Sequence, residues 1–271
     1  MILDVNKELC ISCGQCVRVC PMGIIALDNA TIPFAQPHME SGCILCGHCA
    51  AICPADALNL YKMPLSDMPK CQDDHLDIEQ ILTLVRNRRS IRRYENRTCS
   101  QKTIAALIKL ASYAPSAHND QEVGWIVVSG LNEVKKIAAL VVDWLRALDS
   151  SQPSIFQAIN GQHLLDCWKR GQDPILRSAP HLLVAVAPSS NSMSVVDCSI
   201  ALSYIDLIAP IFGLGSCWAG YLMAAMQHYP PLRQALGISS AKSAHGALML
   251  GFAQGAYRRT PARKQPKIKW H

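Results

Sequence analysis

Two runs of cysteine carry the most explicit chemistry in this sequence. The first is Cys10-Ile-Ser-Cys13-Gly-Gln-Cys16-Val-Arg-Val-Cys20-Pro21, and it returns 33 residues later as Cys43-Ile-Leu-Cys46-Gly-His-Cys49-Ala-Ala-Ile-Cys53-Pro54. Thiolates are soft ligands, and paired Cys-x-x-Cys units would suit Zn2+. Zinc needs only two such pairs. It does not account for a third thiol at the same pitch, a closing Cys-Pro, or the duplication, all of which iron–sulfur ligation does explain. The glycine after each second thiol lets the backbone turn tightly and aim amides at sulfur.

The first sixty residues resemble bacterial two-cluster ferredoxins along their whole length. In that arrangement three thiols of a run face one cluster, and the fourth, displaced and ended by proline, serves the other. The resemblance therefore implies that Cys10, Cys13, Cys16 and Cys53 hold one 4Fe-4S cluster, and Cys43, Cys46, Cys49 and Cys20 the second. Short apolar runs over 2–5, 24–27 and 57–60 are the strands expected to pack over them. Two clusters also act as internal staples for so small a domain.

Residues 63–75 hold two prolines, clustered polar residues and no periodicity, and read as a linker in which Cys71 is a bystander. The charge changes across it. Residues 1–75 carry 4 Lys and Arg against 8 Asp and Glu, and residues 76–271 carry 22 against 12. The basic groups concentrate over 86–97 and 258–269 without interleaved aromatic platforms, so nucleic-acid binding is not expected. Thirteen cysteines, eight of them at ligand spacing, fit a reducing cytoplasm better than a secreted disulfide scaffold. The first residues are charged where a secretory leader would be apolar. The richest apolar run, 195–218, contains Asp197 and Asp206 and reads as a buried helix, so no membrane partner is expected.

After the linker, Ile78, Ile81, Leu82 and Val85 fall at helical spacing, with Asp73, Asp74 and Asp77 at the start where the helix dipole favours them. This helix delivers Arg88, Arg89, Ser90, Arg92 and Arg93, four guanidinium groups within six residues. Such a run suits an oxyanion, since Arg offers planar paired donors that match phosphate. The plainer alternative is a basic helix end. Thr98 and Gln101 suggest a capping box for the next helix, which ends before Pro115. Apolar runs over 123–129, 181–187 and 246–252 read as buried strands, and helical patterns cover 132–148, 155–170 and 195–212. Strands separated by long helices indicate a helix-flanked mixed sheet. No P-loop, G-x-G-x-x-G fingerprint, Ser/His/Asp order or H-E-x-x-H pattern occurs. A flavin mononucleotide meets both the phosphate signal and the need for an electron acceptor, because flavins exchange electrons singly or in pairs.

Four ordered landmarks then become visible: Arg88-Arg-Ser-Ile-Arg-Arg-Tyr94; Ala114-Pro-Ser-Ala-His-Asn-Asp-Gln121; Gly213-Leu-Gly-Ser-Cys-Trp-Ala-Gly220; and Tyr257-Arg-Arg-Thr-Pro-Ala-Arg-Lys264 with Ile268-Lys-Trp270. Over about 76–271 the chain resembles the FMN-dependent nitroreductase family, and as a whole it resembles ferredoxin–nitroreductase fusions. The resemblance implies that Arg88, Arg89, Ser90 and Arg92 contact the phosphate and ribityl end of FMN, with Arg263 and Lys264 completing the phosphate site. It implies that Pro115, Ser116, Ala117 and Asn119 line the flavin from one segment and Trp218, Ala219 and Gly220 from another. It also implies a homodimer with FMN at the subunit interface and exchanged C-terminal arms. Two departures, Glu122-Val-Gly-Trp125 in place of a Pro-Trp and Gly251-Phe-Ala253 in place of a Gly-Tyr-Pro, bear on the shape of the substrate pocket. His118 reads as a polar loop residue, and no protein side chain is nominated as catalytic. Cys167, Cys198 and Cys217 read as core thiols.

The expectation is thus an α+β protein with a two-cluster domain over 1–62, a linker over 63–75 and an FMN domain over 76–271. It would pass electrons from two 4Fe-4S clusters to FMN and on to a small nitro compound, quinone or activated alkene. An external ferredoxin or NAD(P)H would be the donor. Two rivals are a flavin dehydrogenase feeding the clusters and a non-catalytic electron-transfer module docking on a larger redox partner.

Overall fold

The computed structural model describes residues 2–29, 31–71 and 77–271 and divides into two compact units. One comprises Met1–His75 with Ala117–Asp120; the other comprises Leu76–Ser116 with Gln121–His271. The expected helix-start acids Asp73 and Asp74 lie outside the described residues.

The first unit is β1 (Leu3–Val5), α1 (Gln15–Val19), β2 (Ile25–Asp28), β3 (Ile32–Ala35), α2 (His48–Ala51) and β4 (Leu58–Leu60). β1 pairs antiparallel with β4, and β2 with β3. Gly14 and Gly47 sit before the two short helices with φ of 66° and 74°, the left-handed conformation that a side chain would resist. Leu3, Ile24, Ile25, Leu58 and Leu60 form its buried core with Cys16. Met63, Leu65 and Met68, in the stretch that reads as a linker, also pack on that core.

The second unit begins with α3 (Ile78–Asn87) and α4 (Gln101–Ala111), continues through β5 (Gly124–Ser129), α5 (Leu131–Ser151), α6 (Pro153–Ala158), α7 (Gly161–Lys169), β6 (His181–Pro188) and α8 (Ser194–Ile208), and ends with β7 (Gly215–Trp218), α9 (Gly220–His228), α10 (Pro230–Ala235) and β8 (Lys242–Gly251). Asp77 caps α3 by accepting from the Glu79 N–H at 3.0 Å. At α4 the cap is Ser100, not Thr98. Ser100 is extended and its hydroxyl accepts from the Thr103 N–H at 3.1 Å, the geometry that satisfies an orphan first-turn donor.

The sheet order is β5-β6-β8-β7, and these strands pair antiparallel throughout. Among the described residues, the parallel component of the expected mixed sheet is one bridge, Ser90 to Ser216. β6 is buried along nearly its whole length, with α5 and its neighbours on one face and α4 and α8 on the other. By length and composition the Ser194–Phe212 segment is apolar enough to cross a membrane, but it carries buried Asp197 and Asp206 and packs on β6 and β8. A core helix meets the same compositional test.

Candidate functional site

In the first unit the thiols ring two small cavities. One is lined by Cys10, Cys13, Cys16 and Cys53, with Leu58 and Pro33 among its walls. The other is lined by Cys20, Cys43, Cys46 and Cys49 among Leu3, Ile24, Ile25 and Leu60. Each thus takes three thiols from one run and the fourth from the other. Four thiols around an apolar space are the donor set an iron–sulfur cluster requires. Burial pushes the Cys49 thiol up to about 11 and raises Cys16 as well. Uncompensated thiolates are costly there, and a cationic iron core removes that cost. Further contacts around the two sites differ. Arg18 of α1 donates through Nη2 to the Cys13 carbonyl at 3.1 Å, whereas the side chains nearest Gly47 are Met63 and Met68.

In the second unit the arginine run divides between cavities. Arg88 turns inward, its Nη1 lying 3.1 Å from Asp206 Oδ2, while the Ser216 hydroxyl donates to Asp206 Oδ1 at 2.5 Å. Ile91 N–H donates to the Ser216 carbonyl at 2.8 Å, holding the Arg88–Tyr94 landmark against β7. A side chain at Gly215 would overlap Ile91, so the first and third landmarks meet through a glycine.

A cavity of about 440 Å3 opens there, lined by Arg89, Gly215, Ser216, Arg258, Arg259 and Thr260 among others. Arg89 Nε is buried without a hydrogen-bond partner among the described residues. Such an orphaned cationic donor is costly unless an anion meets it, so these residues fit a phosphate.

Arg92 lines a different cavity, with Arg177 and Tyr221. Arg92, Ser90 and Arg177 all pull the Cys217 thiol down against the larger upward effect of its burial, which sets these groups around the Gly213–Gly220 landmark. Trp218 is half-buried, Ala219 is buried with its N–H donating to Ala247 at 3.0 Å, and Gly220 is exposed.

The remaining expected residues are more scattered. Pro115 is exposed and Ser116 is half-buried, its hydroxyl accepting from the Gln121 N–H at 3.0 Å. Ala117 and Asn119 group with the first unit, where Asn119 Nδ2 donates to the carbonyls of Ile44 and Leu45, both at 3.1 Å. His118 and Asn119 have φ of 51° and 58°. Arg263 and Lys264 are exposed in the tail and lie outside the cavity that Arg258 and Arg259 line. Sequence reasoning did not single out Asp206 as the carboxylate anchoring Arg88, nor Arg177. The signal available for Asp206 was an acid inside an apolar helical run, which needs a partner once buried.

Comparison with known proteins accords with this geometry. Residues 85–252 match the nitroreductase family and residues 9–58 match a 4Fe-4S dicluster domain. The chain belongs to the nitroreductase family and carries a 4Fe-4S dicluster domain ahead of it. A protein of Archaeoglobus fulgidus, named for NADH dehydrogenase/NAD(P)H nitroreductase, is 29% identical over 175 residues, 65% of this chain and 86% of its own length. Among solved structures, a nitroreductase with bound FMN from Bacteroides fragilis aligns at TM-score 0.56 and 21% identity over 70% of this chain and 97% of that one. Another with bound FMN, from Desulfitobacterium hafniense, aligns at 0.57 and 21% over 72% and 99%.

Proposed function

We propose that this iron–sulfur flavoprotein oxidoreductase reduces a small organic acceptor, a nitro compound, quinone or activated alkene, with electrons that enter at its two 4Fe-4S clusters. The reading rests on one observation: each of two thiol-ringed cavities draws three cysteines from one run and one from the other, in a chain whose second unit is a nitroreductase domain. Cys10, Cys13, Cys16 and Cys53 hold one cluster; Cys20, Cys43, Cys46 and Cys49 hold the other. FMN, when bound, accepts electrons singly or in pairs and hands them to the acceptor.

The protein binds and orients. Arg88, Arg89, Ser90 and Arg92, joined by Arg263 and Lys264 of the tail, hold the phosphate and ribityl end. Asp206 fixes the Arg88 guanidinium, so that donor is set before any ligand arrives. Pro115, Ser116, Ala117 and Asn119 approach the ring from one side, and Trp218, Ala219 and Gly220 bring backbone amides to the other. No side chain is assigned a proton-transfer step.

A homodimer in the cytoplasm completes the reading. Val195, Val196, Tyr204 and Ile211 leave one side of the α8 region apolar and exposed, as expected of a face that a second copy covers. The external donor is a reduced ferredoxin or NAD(P)H. Turnover of nitrobenzene, a quinone and an enone with reduced ferredoxin under anaerobic conditions tests the assignment. Reduction of at least one class is expected; flavin-loaded protein that reduces none would sink it. Rapid flavin bleaching by NAD(P)H alone would show that the clusters are not the obligatory entry.

A further inference from the structure

The cavity lined by Arg92 has an opening of about 360 Å3, within the range for small-molecule sites of about 300–1,000 Å3. Its wall includes Asn160, His163, Asp173, Arg177 and Tyr221. Three non-glycine residues in that wall, Asn160, Arg177 and Ser178, have positive φ of 57°, 57° and 52°. L-residues rarely adopt this conformation, and it persists only where the surroundings impose it, which is often at binding sites.

Asp173 imposes it on the loop. Its Oδ1 accepts from the N–H groups of Ile175 and Leu176 and its Oδ2 from that of Ser178, each at 2.9 Å. Asp173, the acid of this wall, is therefore engaged with backbone on both oxygens. Among the described residues neither Arg92 nor Arg177 forms a salt bridge. With Arg92 given to the flavin and Asp173 held by backbone, Arg177 is the guanidinium left in the wall to meet an anion. Tyr221, which directly follows Gly220, lines the cavity with Arg92, so the cavity adjoins the Gly213–Gly220 landmark assigned to the flavin.

We propose that this cavity receives the carboxylate of the acceptor, so that the preferred substrates are small nitro-substituted or unsaturated organic acids, with Arg177 as the residue that selects them. A planar guanidinium presents paired donors to a carboxylate. Arg92 belongs to the flavin contacts, which leaves Arg177 as the discriminating cation. The proposal rests on the acceptor-reducing reading above.

Two measurements on the flavin- and cluster-loaded protein test it. The first compares kcat/KM for 4-nitrobenzoate and nitrobenzene in the wild type, Arg177→Ala and Arg177→Gln, with flavin content determined for each. Wild type should favour the acid, and either substitution should lower the acid-to-neutral ratio about tenfold, as for loss of one charged hydrogen-bonding partner. The second is calorimetric binding of benzoate against benzamide, which needs no turnover and no variant. Tighter binding of benzoate is expected. An unchanged ratio overturns the proposal, as does equal binding of the two ligands. Loss of flavin from Arg177→Ala overturns it too, because the cavity would then belong to the cofactor. Protein that binds benzoate selectively yet reduces neither nitro compound would retire the acceptor-reducing reading and leave the anion site standing.

Discussion

Asp206 is the carboxylate that anchors Arg88 of the arginine run. It is buried, pairs with Arg88 at 3.1 Å and accepts from Ser216 at 2.5 Å. Removing one member of a buried pair leaves the other charge uncompensated, typically at about 3 kcal/mol or more. Asp206→Asn should lower stability by about 3 kcal/mol in denaturant titration and weaken FMN retention; a loss under about 1 kcal/mol would show that Arg88 finds another partner. Arg89 predicts the opposite balance, since its Nε is buried without a partner. Arg89→Ala combined with Arg263→Ala should leave folding intact but strip FMN, read as flavin released on desalting. Full flavin content in that variant would refute the phosphate site. His181 gives a pH dependence. Its Nε2 accepts from the Cys99 N–H at 2.9 Å, its Nδ1 lies 3.0 Å from the Ser129 hydroxyl, and burial lowers its pKa. The unfolded chain therefore binds the proton first as pH falls. Stability from neutral His181 is complete above the ordinary value of about 6.5 and is lost below it until the lower folded pKa is reached. His181→Gln should flatten the fall in Tm between about pH 6.5 and 5 relative to wild type; an unchanged slope would contradict this account.

At the scale of elements, the twin cysteine runs fold alike but are clothed differently. Arg18 on α1 corresponds to Ala51 on α2, and only the first run has a guanidinium on its loop, 3.1 Å from the Cys13 carbonyl. A nearby cation favours the more reduced, more negative state. Arg18→Ala should lower the midpoint potential of the first cluster and leave the second unchanged in EPR-monitored redox titration; equal shifts in both would contradict the local assignment. Much of this architecture was legible in the sequence. The strands and helices whose apolar periodicity serves a core, β1, β5, β6, α5 and α8, lie close to their expected positions. β3 was not expected, because Pro33 interrupts a run of four residues that succeeds only by pairing with β2. The grouping of the cysteines was legible because the run and its repeat at the same pitch carry the resemblance to two-cluster ferredoxins, in which the fourth thiol crosses over. The division of Arg88, Arg89 and Arg92 among an ion pair and two cavities was not, since it depends on Asp206 and Arg177, both more than 80 residues further along the chain. Likewise, composition cannot say which tail arginines meet the cavity; the path of the chain after β8 brings Arg258 and Arg259 there. α8 also carries a prediction at this scale. Val196→Glu with Ile211→Glu charges the uncovered apolar face and should shift sedimentation from dimer to monomer, whereas an unshifted dimer would place the interface elsewhere.

The molecule as a whole joins an acidic unit built around two thiol-ringed cavities to a basic unit built for an anionic cofactor. Neither half alone explains the other: a small electron carrier has no use for a nitroreductase domain, and a nitroreductase domain fed directly by NAD(P)H has no use for eight ligand cysteines. In the proposed function the clusters are the entry for electrons that leave at the flavin. Rapid mixing of anaerobic, oxidised protein with reduced ferredoxin, followed at the flavin absorbance, tests that claim most directly. Wild-type flavin should bleach rapidly, and a flavin-loaded Cys13→Ser, Cys46→Ser variant should bleach at least about tenfold more slowly, the signature of a lost electron route. Bleaching of that variant at the wild-type rate would contradict the account.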